Sequence, residues 1–146
     1  MRYPIEPGAG LVRFISERGV GEAGAAIIAA GAWMPLLLPE LARMLRATRE
    51  VVGWFEVADA DLFSAGRCPV FIIESRHGMH YGIPPRGGAG IGTAIKGAKH
   101  HHRGETGDPD AYDRTGSAQD EALIRVAIAG QLPAAHGPLQ AAQTRL

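Results

Sequence analysis

Leu11-Val12-Arg13-Phe14-Ile15 alternates apolar and polar positions loosely, and Glu17-Arg18-Gly19 follows with turn chemistry, so a short strand is predicted there. Ala25-Ala26-Ile27-Ile28-Ala29-Ala30 is a continuous run of small and β-branched apolar residues, the pattern of a strand buried on both faces, and it stops at Gly31. Pro35 suits a first helical position, and Leu37, Leu41, Met44 and Leu45 recur at helical spacing, with a break or restart at Pro39, which has no backbone donor. Glu50 to Phe55 and Val70 to Glu74 are β-rich runs joined by a polar connector holding Asp59, Asp61 and Gly66. His80-Tyr81-Gly82-Ile83 predicts a further strand stopped by Pro84-Pro85, and Ile95 to His100 another. Ser117-Ala118-Gln119-Asp120 ahead of Leu123, Ile124, Ala127 and Ile128 predicts a capped amphipathic helix, with Gly130 placed to end it. Few of these strands are joined by helices. The expected class is therefore α+β, with a mixed, largely antiparallel sheet and flanking helices.

Composition narrows the function classes. The chain has 146 residues, 46% of them hydrophobic, with 15 Lys+Arg balanced by 15 Asp+Glu. A chain this long can bury about 70% of its unfolded surface, which predicts one structural unit. A balanced charge argues against a phosphate-tracking surface, so nucleic acid is not an expected partner. Cys68 is the single cysteine, so no intramolecular disulfide forms, which fits a reducing cytoplasm. The start, Met1 to Gly8, has no apolar signal core. The most apolar stretch, Ala23 to Leu38, is cut by Gly24, Gly31 and Pro35 and falls short of the ~20 residues a membrane span needs.

Several segments could carry chemistry. Gly87-Gly88-Ala89-Gly90-Ile91-Gly92-Thr93 has the glycine content of a phosphate loop, but Pro84-Pro85-Arg86 precedes it instead of a buried strand, and Thr93 stands where a third glycine belongs. A loop is the expectation. His100-His101-His102, with His77 and His80, offers imidazoles for a metal, yet neighbours on a strand point to opposite faces, so a patch of partly solvated histidines and no metal site are expected. Asp108-Pro109-Asp110 is a turn before it is a carboxylate pair. Tyr81, Lys96 and His100 would put a phenol, an ammonium and an imidazole on neighbouring strands, with Lys96 and His100 sharing a face. From composition alone, that set reads as a solvated basic edge before it reads as a site.

Five segments in order carry a resemblance: Ala29-Ala30-Gly31-Ala32-Trp33; Arg49-Glu50-Val51-Val52-Gly53-Trp54-Phe55; His80-Tyr81-Gly82-Ile83-Pro84; Ile95-Lys96-Gly97-Ala98-Lys99-His100; and Gly104-Glu105 with Asp108-Pro109-Asp110. Together they resemble the sarcosine oxidase and N-methyltryptophan oxidase family of FAD-dependent amine oxidases, from about Ala25 to Leu146. The resemblance implies oxidation of a secondary amine or N-methyl amino acid, with hydride passing to FAD and oxygen as acceptor. It implies a lysine beside the flavin at Lys96, active-site roles near the amine substrate for Tyr81 and His100, and close approach to the flavin at Ala30 and Gly31. Arg49 is expected to be structural.

The family's nucleotide-binding Gly-x-Gly-x-x-Gly lies on a segment N-terminal to the region matched here, and Arg145 stands where the family has a cysteine that can hold FAD covalently. The resemblance therefore implies the middle of such an oxidase: residues 1–33 the end of a flavin-binding domain, and 34–146 a segment of the substrate domain, incomplete at its C-terminus. Two other readings stay open. The chain could be a stand-alone module gripping a small anion or metal with Lys96, Lys99 and His100 to His102, or a non-functional fragment that self-associates through a core exposed around Ile27 and Ile28.

Overall fold

A computed structural model describes residues 5–8, 10–87 and 90–146 of the chain, in two compact units, Met1–Ala47 and Thr48–Leu146. In the first unit, β1 (Ile5–Gly8), β2 (Leu11–Ser16) and β3 (Gly19–Ala23) form an antiparallel meander. The β2–β3 turn is closed by Ser16, whose Oγ accepts from the Arg18 N–H and donates to the Gly19 carbonyl, both at 3.2 Å. Phe14 pairs with Gly21 across the ladder, and the missing side chain matters, because a Cβ on Gly21 would lie 2.1 Å from the Phe14 ring.

The Ala25–Ala30 run departs from its pattern. Among the described residues it joins no ladder and forms no strand, and Ile27 is 97% exposed. Four of its six side chains are methyl groups, too small to anchor a buried strand without a ladder partner on either side. After it come a 3₁₀ turn, Gly31–Trp33, the short helix α1 (Met34–Leu37) with Pro35 in its first turn, and a second 3₁₀ turn, Pro39–Leu41. The break at Pro39 is where the sequence puts it. The apolar helical face beyond does not form, and Met44 is 79% exposed.

The second unit is a five-stranded antiparallel sheet with one helix across it. Its strands are β4 (Glu50–Phe55), β5 (Phe71–Ser75), β6 (Gly78–Ile83), β7 (Ile95–Lys99) and β8 (Leu139–Arg145), in the order β5-β6-β7-β4-β8. The helix α2 (Ala118–Gln131) starts at a capping box in which the Ser117 Oγ accepts from the Asp120 N–H, while the Asp120 carboxylate accepts from the Ser117 N–H. Gly130 lies inside this helix, and the cap falls at Leu132. Ladder register puts Phe71, Gly82, Gly97 and Gly53 in one row across β5, β6, β7 and β4. The glycines make a trough. The Ile124 and Ile128 side chains of α2 lie over Gly97, the Phe71 ring lies over Gly82, and Phe55 and Leu139 lie over Gly53. The core of Val51, Phe55, Phe63, Ile95, Ile124, Ile128 and Ala135 closes this face. His80 ties the same face down, its ring nitrogens lying 3.2 Å from the Gly78 carbonyl oxygen and 3.0 Å from that of Leu123 in α2. The fold is α+β with antiparallel sheets and few helices, as the sequence pattern predicts. Among the described residues no helix is long and apolar enough to cross a membrane.

Candidate active site

Because side chains alternate along a strand, the face of the large sheet away from α2 collects a second set of residues. One row across it is Ile83, Lys96, Trp54 and Ala141, on β6, β7, β4 and β8. The next is Ile72, Tyr81, Ala98, Val52 and Gln143. Lys96 and Tyr81 thus occupy adjacent rows of one face on neighbouring strands. His100 lies just past the end of β7, four residues and ~13 Å of strand from Lys96. Its N–H donates to the Met79 carbonyl, and its exposed ring lies against that of His101, tilted by 46° with centroids 4.0 Å apart. The geometry brings Tyr81 and Lys96 together and leaves His100 at the margin.

The Lys96 ammonium lies 5.7 Å from the centre of the Trp54 ring, within cation–π range. It borders a cleft of about 280 Å³ with Trp54, Ile83, Pro84, Arg86 and Ala94. Burial, and then the charges of Arg145 and Arg86, hold the Lys96 pKa below the usual lysine value. Burial and the Glu50 carboxylate push the Tyr81 phenol up, against a smaller opposing pull from Arg145. Tyr81 therefore stays protonated through the neutral range. Glu50, at the other end of β4 from Trp54, accepts from the His102 N–H at 3.3 Å. A second cavity, about 680 Å³ and largely apolar, lies on the other side of the Ile83-Pro84-Arg86 segment, against Phe63, Cys68 and Val70.

Ala30 and Gly31 belong to the first unit. Gly31 takes φ +53° at the head of its 3₁₀ turn, where the Trp33 N–H donates to the Ala30 carbonyl at 3.0 Å. A Cβ there would meet nothing within 4 Å, so the need for glycine at this position is conformational. Ala29 and Ala30 border an apolar cleft with Val12 and Phe14.

The histidines are not one solvated patch. His100 and His101 are exposed, whereas His80 and His102 are buried. His101 adopts φ +51°, and this left-handed step turns His102 inward, where its Nε2 lies 3.0 Å from Asp120 Oδ1. Asp120 also accepts two hydrogen bonds from Arg49, which gives Arg49 the structural position the sequence assigns it. No group of three or more His, Cys, Asp or Glu side chains is arranged to hold a metal among the described residues. Asp108-Pro109-Asp110 is a turn, with the Asp110 N–H donating to Asp108 Oδ1 at 2.9 Å. Of the Gly87–Thr93 segment, Gly88 and Ala89 lie outside the described residues, and Gly90–Thr93 is a 3₁₀ turn. Sequence reasoning missed Arg86 as a neighbour of Lys96. Its only signal was position, one charged residue after the Pro84-Pro85 stop.

No family model matches the sequence. Curated relatives do. Monomeric sarcosine oxidase from Bacillus sp. (strain NS-129) is 32% identical over 134 residues, covering 89% of this chain and 33% of that enzyme. The monomeric sarcosine oxidase of Arthrobacter sp. (strain TE1826) is 31% identical over 133 residues, covering 88% of this chain and 33% of its own length. Among solved structures, the open form of NikD, an unusual amino acid oxidase essential for nikkomycin biosynthesis, superposes with a TM-score of 0.64 at 16% identity, covering 97% of this chain and 36% of that one, a likeness of fold. Over about nine-tenths of its length the chain is thus a relative of the monomeric sarcosine oxidases, and it spans about a third of theirs.

Proposed function

We infer that the chain supplies one wall of an FAD-dependent amine oxidase site that acts on a secondary amine or N-methyl amino acid. The observation that carries this reading is that Lys96 and Tyr81 occupy adjacent rows of the sheet face away from α2, within a chain related to sarcosine oxidases. A flavin ring is served by a fixed positive charge and a hydrogen-bonding group beside an apolar wall. Lys96, Tyr81 and the Trp54–Ile83 surface fit that end of the cofactor, and no carboxylate lines the cleft at Lys96. The described residues include no strand, glycine-rich turn and helix in close succession to hold a dinucleotide pyrophosphate, so the fit is to the ring end alone.

When bound, FAD would supply the two-electron acceptor for hydride from the carbon beside the amine nitrogen, with oxygen as the final acceptor. Lys96 contributes a fixed ammonium in a partly dehydrated setting, where its charge favours electron transfer to oxygen. Tyr81, kept as a neutral phenol, has one donor and two acceptor positions with which to orient the amine. His100, at the margin past the end of β7, offers an exposed imidazole with two ring nitrogens for hydrogen bonding.

The test is a chimera in which this chain replaces the matched third of the Bacillus sp. (strain NS-129) enzyme. Flavin loading with peroxide released from sarcosine or another N-methyl amino acid supports the reading, and Lys96→Met should slow reoxidation more than flavin reduction. A folded, flavin-loaded chimera that yields no peroxide from any N-methyl amino acid overturns it.

A further inference from the structure

We propose that the larger cavity, between the β4–β5 connector and the Pro84-Pro85 segment, is a binding site for a small uncharged aromatic molecule. It is a separate space from the cleft at Lys96, and its occupation needs no flavin.

Its walls come from segments that the fold holds in place. The connector is wound into turns by backbone hydrogen bonds from the Phe63 N–H to the Ala60 carbonyl, from Ser64 to Asp61, and from Arg67 and Cys68 to Ser64, over 3.0 to 3.3 Å. Opposite it, the rings of Pro84 and Pro85 fix φ just after β6. The floor is Phe63, 5% exposed and packed into the core that Ile124 and Ile128 of α2 share. Walls tied down in this way keep the space open before any ligand arrives.

Size and lining set the ligand class. The cavity holds about 680 Å³, inside the ~300 to 1,000 Å³ range of small-molecule pockets. Its surface is mostly apolar, from Phe63, Val70, Ile83 and the two prolines. Val70 is 66% exposed, so water now covers apolar surface that a ligand would cover instead. Among the described residues the charged side chains that border the cavity are Asp61 and Arg86, one of each sign. A charged ligand would gain from one and lose to the other, so neither sign is favoured. Ser64 adds a hydroxyl that donates to the Asp61 carbonyl at 2.8 Å and keeps its oxygen free to accept. A flat ring with one N–H or O–H therefore satisfies both the apolar walls and that acceptor.

Cys68 reports on the site without having to hold the ligand, because it lines the cavity and is the chain's single cysteine. Indole should slow its alkylation by iodoacetamide saturably, by about tenfold when indole stands at about nine times its dissociation constant. Indole-3-carboxylate and tryptamine, which add a charge of either sign to the same rings, should protect less at equal concentration. Ala65→Trp, an exposed lining position where a large ring would fill the space, should remove the effect of indole. Ala122→Trp, exposed on α2 and outside the lining, should keep it. Equilibrium dialysis of indole against Cys68→Ser measures binding without the thiol, and far-ultraviolet circular dichroism checks that each variant is folded. A non-saturating effect, equal protection in Ala65→Trp, no indole retained by Cys68→Ser, or stronger protection by either charged analogue would overturn the proposal. None of these outcomes depends on flavin or on oxidase activity, so the site and the oxidase reading stand or fall separately.

Discussion

The guanidinium of Arg49, just ahead of β4, donates to both carboxylate oxygens of Asp120 in the first turn of α2, over 3.1 and 3.0 Å, although the residues are 71 positions apart. The same carboxylate accepts from the Ser117 cap and lies 3.0 Å from the buried His102 ring, whose Nδ1 has no partner among the described residues. Burial alone would raise the Asp120 pKa, but hydrogen bonds from Arg49, Ser117 and His102 outweigh it and hold the carboxyl far below the ordinary carboxylate range. One side chain thus joins the helix start, the strand entry and the turn after β7.

Removing that carboxylate should be costly, because it leaves the Arg49 charge buried and unmatched. Asp120→Ala is expected to lose about 3 to 5 kcal/mol of stability in urea denaturation, well above the usual effect of a surface substitution. The pH response follows from the lowered pKa. A carboxyl depressed in the folded state contributes its full stability above its unfolded pKa, about 4, and loses it as pH falls below that value towards the folded pKa. Stability of the native chain should therefore fall with acid below about pH 4 more steeply than that of Asp120→Asn, and parallel curves for the two would refute the assignment.

The sequence made much of this frame readable, and the parts it concealed have physical reasons. β4 to β7 are rich in Val, Ile, Phe, Trp and Tyr, and α2 carries both its cap and its apolar spacing, so local pattern and tertiary packing agree there. β8, Leu-Gln-Ala-Ala-Gln-Thr-Arg, has one β-branched residue and is a strand because β4 offers it a free edge. The Ala25–Ala30 run fails in the opposite way, with apolar composition and no ladder to join. At the candidate site, strand parity could relate Lys96 only to His100 on its own strand, and the placing of Tyr81 on the Lys96 face needed the register between β6 and β7. Neither the burial of His102 nor the approach of Arg86 to Lys96 could be read locally, because each depends on a loop returning to the sheet from outside the ladder.

The glycine trough makes a sharper prediction than burial alone. A Cβ on Gly97 would lie 2.5 Å from Ile128 Cδ1 and 3.4 Å from Ile124 Cγ2, so α2 must lift or its isoleucines must leave their rotamers. Gly97→Ala should cost about 1 to 3 kcal/mol by overpacking, and Gly97→Val more. Gly24→Ala, where a Cβ meets nothing within 4 Å, is the control and should be close to neutral. Equal melting temperatures for Gly97→Ala and the native chain would mean that the helix does not sit on this row.

Tyr81 can be followed by its own absorbance. Burial and Glu50 raise its pKa, so in an alkaline titration at the phenolate band its ionisation should come late, above that of an ordinary tyrosine. Tyr81→Phe should delete this late component, and Glu50→Gln should move it to lower pH without deleting it. Removing the Arg145 charge in Arg145→Gln should move it the other way. A native titration that ends at the ordinary tyrosine value would contradict the position of Tyr81 on this face.

Lys96 allows the most direct check on the electrostatics, because the chain has only two lysines, Lys96 and Lys99. Only the neutral amine reacts with an acylating reagent, so competitive labelling across pH, with peptide mapping to separate the two, traces the Lys96 proton by itself. Its profile should lie below that of a free lysine amide, since burial first, and then Arg145 and Arg86, disfavour the charged form. The cation is present at low pH and is lost as pH rises through this lowered pKa, so any binding or oxygen chemistry that uses it declines earlier on the alkaline side than an ordinary lysine would require. Arg145→Gln and Arg86→Gln should each shift the profile part of the way back up, and the double variant further. Full recovery is not expected, because burial is the larger cause and neither substitution removes it. A Lys96 profile that matches the free amide, or that ignores both arginines, would mean that the ammonium stands in open water, and the cleft at Trp54 would lose the charge on which its chemistry depends.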